Sequence, residues 1–222
     1  LKIAILGELS SEETTPVKIL IATRNPGKLR EYEEMLAGLS VNGEPIDLVM
    51  LDDLGIETEV EETGDTFEEN AVLKARAYAE QSGLLTLADD SGLAVDALGG
   101  APGVLSARYA GEDATDADRY RKLLRELEGV PPEDRGARFV CAVALCTPEG
   151  EVYTAEGDVK GRIAFEPKGT QGFGYDPIFY IPGLRMTMAQ ADPEIKNRIS
   201  HRAEALKAIR PVLERVLTGG GV

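Results

Sequence analysis

Two neighbouring aspartates stand in the phrase Ala88-Asp89-Asp90-Ser91-Gly92-Leu93. Read at the end of a short apolar run, adjacent carboxylates are costly unless they are paired or bound to a metal. Such hard oxygen ligands suit Mg²⁺, which takes a few carboxylates and completes its shell with phosphate and water. One carboxylate could also orient or deprotonate an attacking water. An Asx-type turn with aspartate as a cap is the competing structural explanation.

Four other segments carry groups that could work with this pair. Thr23-Arg24-Asn25-Pro26-Gly27-Lys28 lies between an apolar run and a helical pattern. A helix N-terminus there offers free N–H groups and partial positive charge to a phosphate, and Lys28 adds a full charge. It is not a Walker A loop, because Ala22 replaces the first glycine and Leu29 stands where Ser or Thr would hold magnesium. Plain helix capping by Asn25 and Pro26 explains the same residues. Glu61-Glu62-Thr63-Gly64 precedes the next helix start, so its two glutamates have no first-turn role and could reach a metal. A solvated charge run is the alternative. Gly172-Phe173-Gly174-Tyr175-Asp176 alternates glycine with aromatics, which lets backbone wrap a flat ring and a Phe or Tyr face stack on it; a hairpin turn reads equally well. Lys196 and Ser200-His201-Arg202 place the sole histidine beside an arginine at a helix start, where anions bind. The lack of a nearby second His or Cys argues against metal ligation by His201.

The elements that must position these groups follow from pattern and caps. Val17 to Ile21 reads as a first strand, and Asn25-Pro26 opens a helix carrying Leu29, Tyr32 and Leu36. Ile46 to Leu51 is β-like. Thr66 with Glu69 forms a capping box for a helix to about Gln81, and Leu84 to Ala88 is a short strand delivering Asp89 and Asp90. Gly99 to Gly103 is a turn cluster, and Thr115 with Asp118 starts a helix whose apolar face is Leu123, Leu124 and Leu127. Arg138–Thr147 and Glu151–Phe165 read as two long strands around Pro148-Glu149-Gly150. Ser200 caps a last helix that Pro211 should kink or divide. Strand–helix units around a central hairpin give an α/β class with a mixed sheet.

At 222 residues, 43 % hydrophobic and 28 % charged, the chain can fill a core as one large domain or two close lobes. Residues 1–16 are expected to be an extension outside the domain, with Val17 its natural start. No apolar run approaches the roughly 20 residues of a membrane span, and the N-terminus lacks a signal-peptide layout, so a cytoplasmic protein without a membrane partner is expected. Cys141 and Cys146 read as buried reduced thiols. A net charge of −15 repels long polyanions and argues against nucleic acid as partner. A small polyanion remains compatible if a few cations converge and a metal mediates between carboxylate and phosphate.

Taken in order, these segments resemble the Ham1/RdgB family of inosine/xanthosine triphosphatases, which hydrolyse non-standard purine nucleoside triphosphates to monophosphate and pyrophosphate. The match spans Lys18 to about Leu217 and includes Gly99-Gly100-Ala101-Pro102-Gly103 and Ser106-Ala107-Arg108-Tyr109-Ala110-Gly111. The resemblance implies an elongated two-lobed α/β fold over 17–222, with a mixed sheet flanked by helices, a cleft between the lobes, and usually a homodimer. It also implies roles. Thr23, Arg24, Asn25, Pro26, Gly27 and Lys28 would hold the triphosphate. Asp90 would be general base and Mg²⁺ ligand, Glu61 or Glu62 the other ligand, and Asp89 a support. Ser91 would contact substrate; Phe173, Gly174, Tyr175 and Asp176 would hold the nucleobase with Lys196, His201 and Arg202. Residues 1–16 have no counterpart in the usual family start. A Maf-type pyrophosphatase is the near rival, against which His201-Arg202 and the Phe173–Asp176 phrase speak. A catalytically silent nucleotide sensor is the rival from another class; it would need the phosphate loop but not the carboxylates.

Overall fold

The computed structural model describes residues 17–41 and 43–219, so the expected extension over 1–16 lies outside the described residues. Its elements are β1 (Lys18–Ile21), α1 (Pro26–Leu36), β2 (Ser40–Val41), β3 (Glu44–Pro45), β4 (Asp47–Met50), α2 (Phe67–Ser82), β5 (Leu85–Val95), α3 (Asp116–Glu126), β6 (Gly136–Cys146), β7 (Val152–Ile163), β8 (Phe179–Ile181), β9 (Met186–Thr187), α4 (Pro193–Ile199) and α5 (His201–Leu217). Seven strands form one mixed sheet in the order β4-β1-β5-β6-β7-β8-β9, and β2 pairs with β3 apart from it. β4, β1 and β5 run parallel, joined by helical crossovers, whereas β5 through β9 pair antiparallel. The mixed α/β sheet expected from the pattern is therefore present.

The caps form as the sequence spelled them. Asn25 accepts from the Gly27 and Lys28 amides, and Thr66/Glu69 and Thr115/Asp118 each close a capping box. Two expectations need correction. The short strand to Ala88 is an 11-residue strand, β5, that continues through both aspartates to Val95. Asp89 pairs with Val143 and Asp90 with Ala142, so the pair sits mid-sheet, not in a turn. Pro211 does not divide the last helix, which runs on to Leu217.

Alternation along β5 sorts the layers. Odd-numbered Leu85 and Leu87 join Ile19, Ile21, Tyr32, Val143, Leu206 and Ile209 in a core covered by α1 and α5. Even-numbered Ala88 joins Leu20, Ala22, Ala142 and Ala144 against Ala71, Ala75 and Tyr78 of α2, where small side chains let the helix lie close to the sheet. Farther along the same strands, Leu93, Val95, Phe139 and Phe179 receive Leu123 of α3 and Leu127 at its C-terminal cap. Those two leucines are fully buried, each contributing about 1.5–3 kcal/mol to docking α3. No helix among the described residues is long and apolar enough to cross a membrane.

Candidate active site

Because Asp89 and Asp90 are successive residues of a strand, they face opposite layers. Asp89 points toward α1 and α5, where its Oδ2 lies 2.9 Å from Lys28 Nζ and 3.0 Å from Arg202. Burial opposes its charge, but Lys28, Arg202 and Lys74 outweigh burial and hold the carboxyl well below the usual carboxylate range. Asp90 points toward α2. Its Oδ2 accepts from Asn70 Nδ2 at 3.1 Å, and its Oδ1 accepts from the Ser91 amide at 2.9 Å. Burial pushes the Asp90 carboxyl up; Lys74 works against that, and the nearby Glu62 carboxylate adds to it.

Glu62 reaches this point because its loop is pinned to α2. The Gly64 amide donates to Asn70 Oδ1 at 2.7 Å, and a Cβ at Gly64 would collide with Glu69 and Asn70. Lys74 Nζ then lies 2.5 Å from Glu62 Oε1 and 3.9 Å from Asp90 Oδ1, one ammonium shared by two carboxylates. A pair of carboxylates that repel each other and share a cation could serve as donors to a hard metal ion. Among the described residues no group of three or more His, Cys, Asp or Glu converges on a metal position, so phosphate and water oxygens would complete the shell. Glu61 is exposed on the cleft wall and makes no ion pair among the described residues.

The Lys28 loop departs from the simple anion-binding picture. Its Gly27 and Lys28 amides already donate to Asn25 Oδ1, at 2.9 and 3.1 Å, and Pro26 has no N–H. Attraction for an anion rests on the Lys28 ammonium and the helix dipole instead. Arg24 turns to Asp52, 2.8 Å away, and to the Ile56 carbonyl, bracing the segment that leads to Glu61. Thr23 Oγ1 accepts from the Asn25 amide at 3.2 Å.

Behind the cleft runs a buried chain of charges. Arg202 is fully buried and bonds Glu31, Asp89 and, at 2.9 Å, Ser91 Oγ. Glu31 also takes Lys196 at 2.8 Å, and Lys196 sits 2.5 Å from Asp176. Three cations (Lys28, Arg202, Lys196) thus face three anions (Asp89, Glu31, Asp176), which makes tolerable the burial of every member but the half-buried Lys28. Burial works against the Lys196 charge, but Asp176 and Glu31 outweigh it and raise its ammonium above the usual range. Burial, then Arg202 and Lys196, push His201 well below its ordinary value, so the imidazole is neutral; it stacks on Phe139 with centroids 4.9 Å apart.

The aromatic–glycine loop turns at Gly172 and Gly174, whose φ values are +74° and +63°. At Gly172 a Cβ would also strike the Asp176 carboxylate, which accepts from the Phe173 amide at 2.9 Å. Tyr175 donates to the Ser106 carbonyl at 2.9 Å, and Lys196 Nζ lies 4.6 Å from the centre of the Phe173 ring. The same ring occupies the space that a side chain at Gly27 would fill, so the Lys28 loop and the aromatic loop touch.

Between these parts lies a cleft of about 770 Å³, large enough for a small organic ligand. Thr23, Arg24, Asn25 and Lys28 line it with Glu61, Glu62, Asp90 and Ser91, and with Phe173, Gly174, Tyr175, Asp176, Lys196 and His201. Pro26 and Gly27 are not part of this lining, and Asp89 and Arg202 are buried outside it. Sequence reasoning missed Asn70, Lys74 and Glu31. The first two stand four apart on the α2 face that also carries buried Ala71, Ala75 and Tyr78, where they pass in the sequence for ordinary helix residues. Glu31 lies one turn beyond Lys28 and had no signal of its own.

The fold and the cleft define an α/β protein in which carboxylates and cations meet in one ligand-sized pocket. The Ham1 family model matches residues 19–212, and the chain belongs to that family. A dITP/XTP pyrophosphatase of Bacillus licheniformis is 52 % identical over 200 residues, 89 % of this chain and 98 % of that protein. The dITP/XTP pyrophosphatase of Bacillus subtilis is 50 % identical over 197 residues, 88 % of this chain and 96 % of that protein. Among solved structures, a HAM1 protein from Coxiella burnetii superposes with a TM-score of 0.79 at 46 % identity, covering 89 % of this chain and 98 % of its own. A nucleoside-triphosphatase, dITP/XTP pyrophosphatase, from Mycobacterium abscessus gives 0.71 at 51 % identity, over 89 % of this chain and all of its own.

Proposed function

We propose that the protein is a dITP/XTP pyrophosphatase, hydrolysing deaminated purine nucleoside triphosphates to monophosphate and pyrophosphate. The observation that carries this is the near full-length match, at about half identity, to proteins of that name. The gathering of the motif segments on one cleft supports it.

The reading extends to roles. Glu62 and Asp90 would hold Mg²⁺, the donor set fitting a small hard cation, with Glu61 the outer alternative. When bound, the ion supplies Lewis-acid polarisation and charge neutralisation at phosphate oxygens. Asp90, raised by burial, accepts the proton of the water that attacks phosphorus; the anhydride bond breaks and pyrophosphate leaves with the electron pair. Lys28 and Lys74 draw the charge that builds on the leaving group, with Thr23, Arg24 and Asn25 shaping the pocket beside them. Arg202 works from behind by fixing Ser91 and Asp89.

At the other end Phe173 stacks on the base, and Gly174, Tyr175, Asp176, Lys196 and His201 surround it. Donors there pair with the carbonyl at the purine six position. Adenine presents an amino donor instead, leaving buried groups unsatisfied at about 1–3 kcal/mol, one to two decades of discrimination. We read residues 17–222 as one two-lobed domain with this cleft between the lobes, acting as a homodimer in the cytoplasm, where the nucleotide pool lies. Incubation with a nucleotide panel and Mg²⁺, followed by product identification, tests the function. Pyrophosphate and monophosphate from dITP or XTP, with ATP nearly untouched, is the expected result; orthophosphate and a diphosphate would overturn it.

A further inference from the structure

We propose that Asp116 is a positioning residue for substrate binding, acting through Gly174 to set the aromatic loop. The inference rests on the reading of Phe173–Asp176 as the nucleobase end of the cleft. Phe173 is fixed through its own amide by Asp176, and Tyr175 through its hydroxyl by Ser106. Gly174, between them, has no side chain and sits at φ +63°, so it can be held only through its backbone. That amide donates to Asp116 Oδ2 at 2.7 Å. The other Asp116 oxygen is held by Arg119 at 2.7 Å, one turn along the same helix.

Asp116 is the first residue of α3, which the buried Leu123 and Leu127 lock onto the sheet. The carboxylate is therefore a strut from a docked helix to a glycine of the loop that has no side chain to anchor it. Both Asp116 and Arg119 reach the cleft wall, yet neither belongs to the segments that carry the chemistry. Loss of a charge-assisted hydrogen bond that is partly open to water should weaken base binding roughly fivefold to tenfold. It should leave the phosphate end, on α1 and β5, untouched.

The test compares wild type, Asp116→Ala, Asp116→Asn and Phe173→Ala, measuring KM and kcat for dITP and the inhibition constant of tripolyphosphate, which has no base. Asp116→Ala should raise KM roughly fivefold to tenfold, with kcat within about twofold and tripolyphosphate inhibition unchanged. Asp116→Asn, which keeps an acceptor for the Gly174 amide, should recover most of the loss. If Phe173→Ala raises KM and Asp116→Ala does not, the proposal is overturned while the nucleobase reading stands. If neither moves KM, that reading falls and the proposal with it. Equal weakening of dITP and tripolyphosphate in Asp116→Ala would mean general loosening, and would also overturn it.

Discussion

At the scale of single residues, the strand's two-residue period decides which carboxylate does what. It hands Asp89 to Lys28 and Arg202, which keep it an anion, and hands Asp90 to a burial site with Glu62 and Lys74. The sole histidine offers a clean test of the electrostatics around this centre. His201 is held neutral in the fold, its pKa below the ordinary value near 6.5, so the unfolded chain takes up a proton first as pH falls. The stability tied to its neutral form is complete above that ordinary value and drains away below it. Urea unfolding should lose roughly 1 kcal/mol from this group between about pH 7 and 5.5, and His201→Gln should flatten that part of the profile. An unchanged slope in the variant would place the imidazole in water. Lys28, Asp90 and His201, which the fold brings to one cleft, could be picked out as candidates because each stands in a phrase of unusual composition. Lys74 and Asn70 could not: on a helix face otherwise filled by alanine and tyrosine they read as ordinary helix residues until folding brings β5 beneath them.

The secondary-structure elements show the same division. Helices announced by caps were readable, since Asn25, Thr66, Thr115 and Ser200 all accept the amide bonds their sequence offers. The full length of β5 was not, because Asp89, Asp90, Ser91 and Gly92 interrupt its apolar run, and only cations from α1, α2 and α5 make those residues tolerable inside a sheet. The strands β8 and β9, three and two residues long, and the seven-residue α4 are too short to give a period. Contact between α1 and the aromatic loop supplies the prediction at this scale. Gly27→Ala favours the helix by up to about 1 kcal/mol from intrinsic propensity, yet its methyl enters the space of the Phe173 ring. The variant should melt no lower than wild type by much while its KM for dITP rises severalfold. A KM equal to wild type would show that the ring moves aside freely.

For the molecule as a whole, a net charge of −15 and a pocket for a polyanion coexist because the cations are collected inside. Lys28, Lys74, Lys196 and Arg202 are each matched to acids within the fold, so the cleft is close to neutral before substrate enters, not strongly positive. Charge composition alone argues against nucleic acid without revealing this internal balance, which needs residues brought together from Lys28 to Arg202. The central claim is that Asp90 performs the proton transfer in hydrolysis at this cleft, and one comparison tests it most directly. Nucleotide binding and turnover of dITP with Mg²⁺ are measured side by side for wild type and Asp90→Asn. Binding should persist within a few-fold while turnover falls by about a hundredfold or more, the scale of general-base catalysis. Turnover near the wild-type rate in the variant would contradict the assignment of Asp90 as the base.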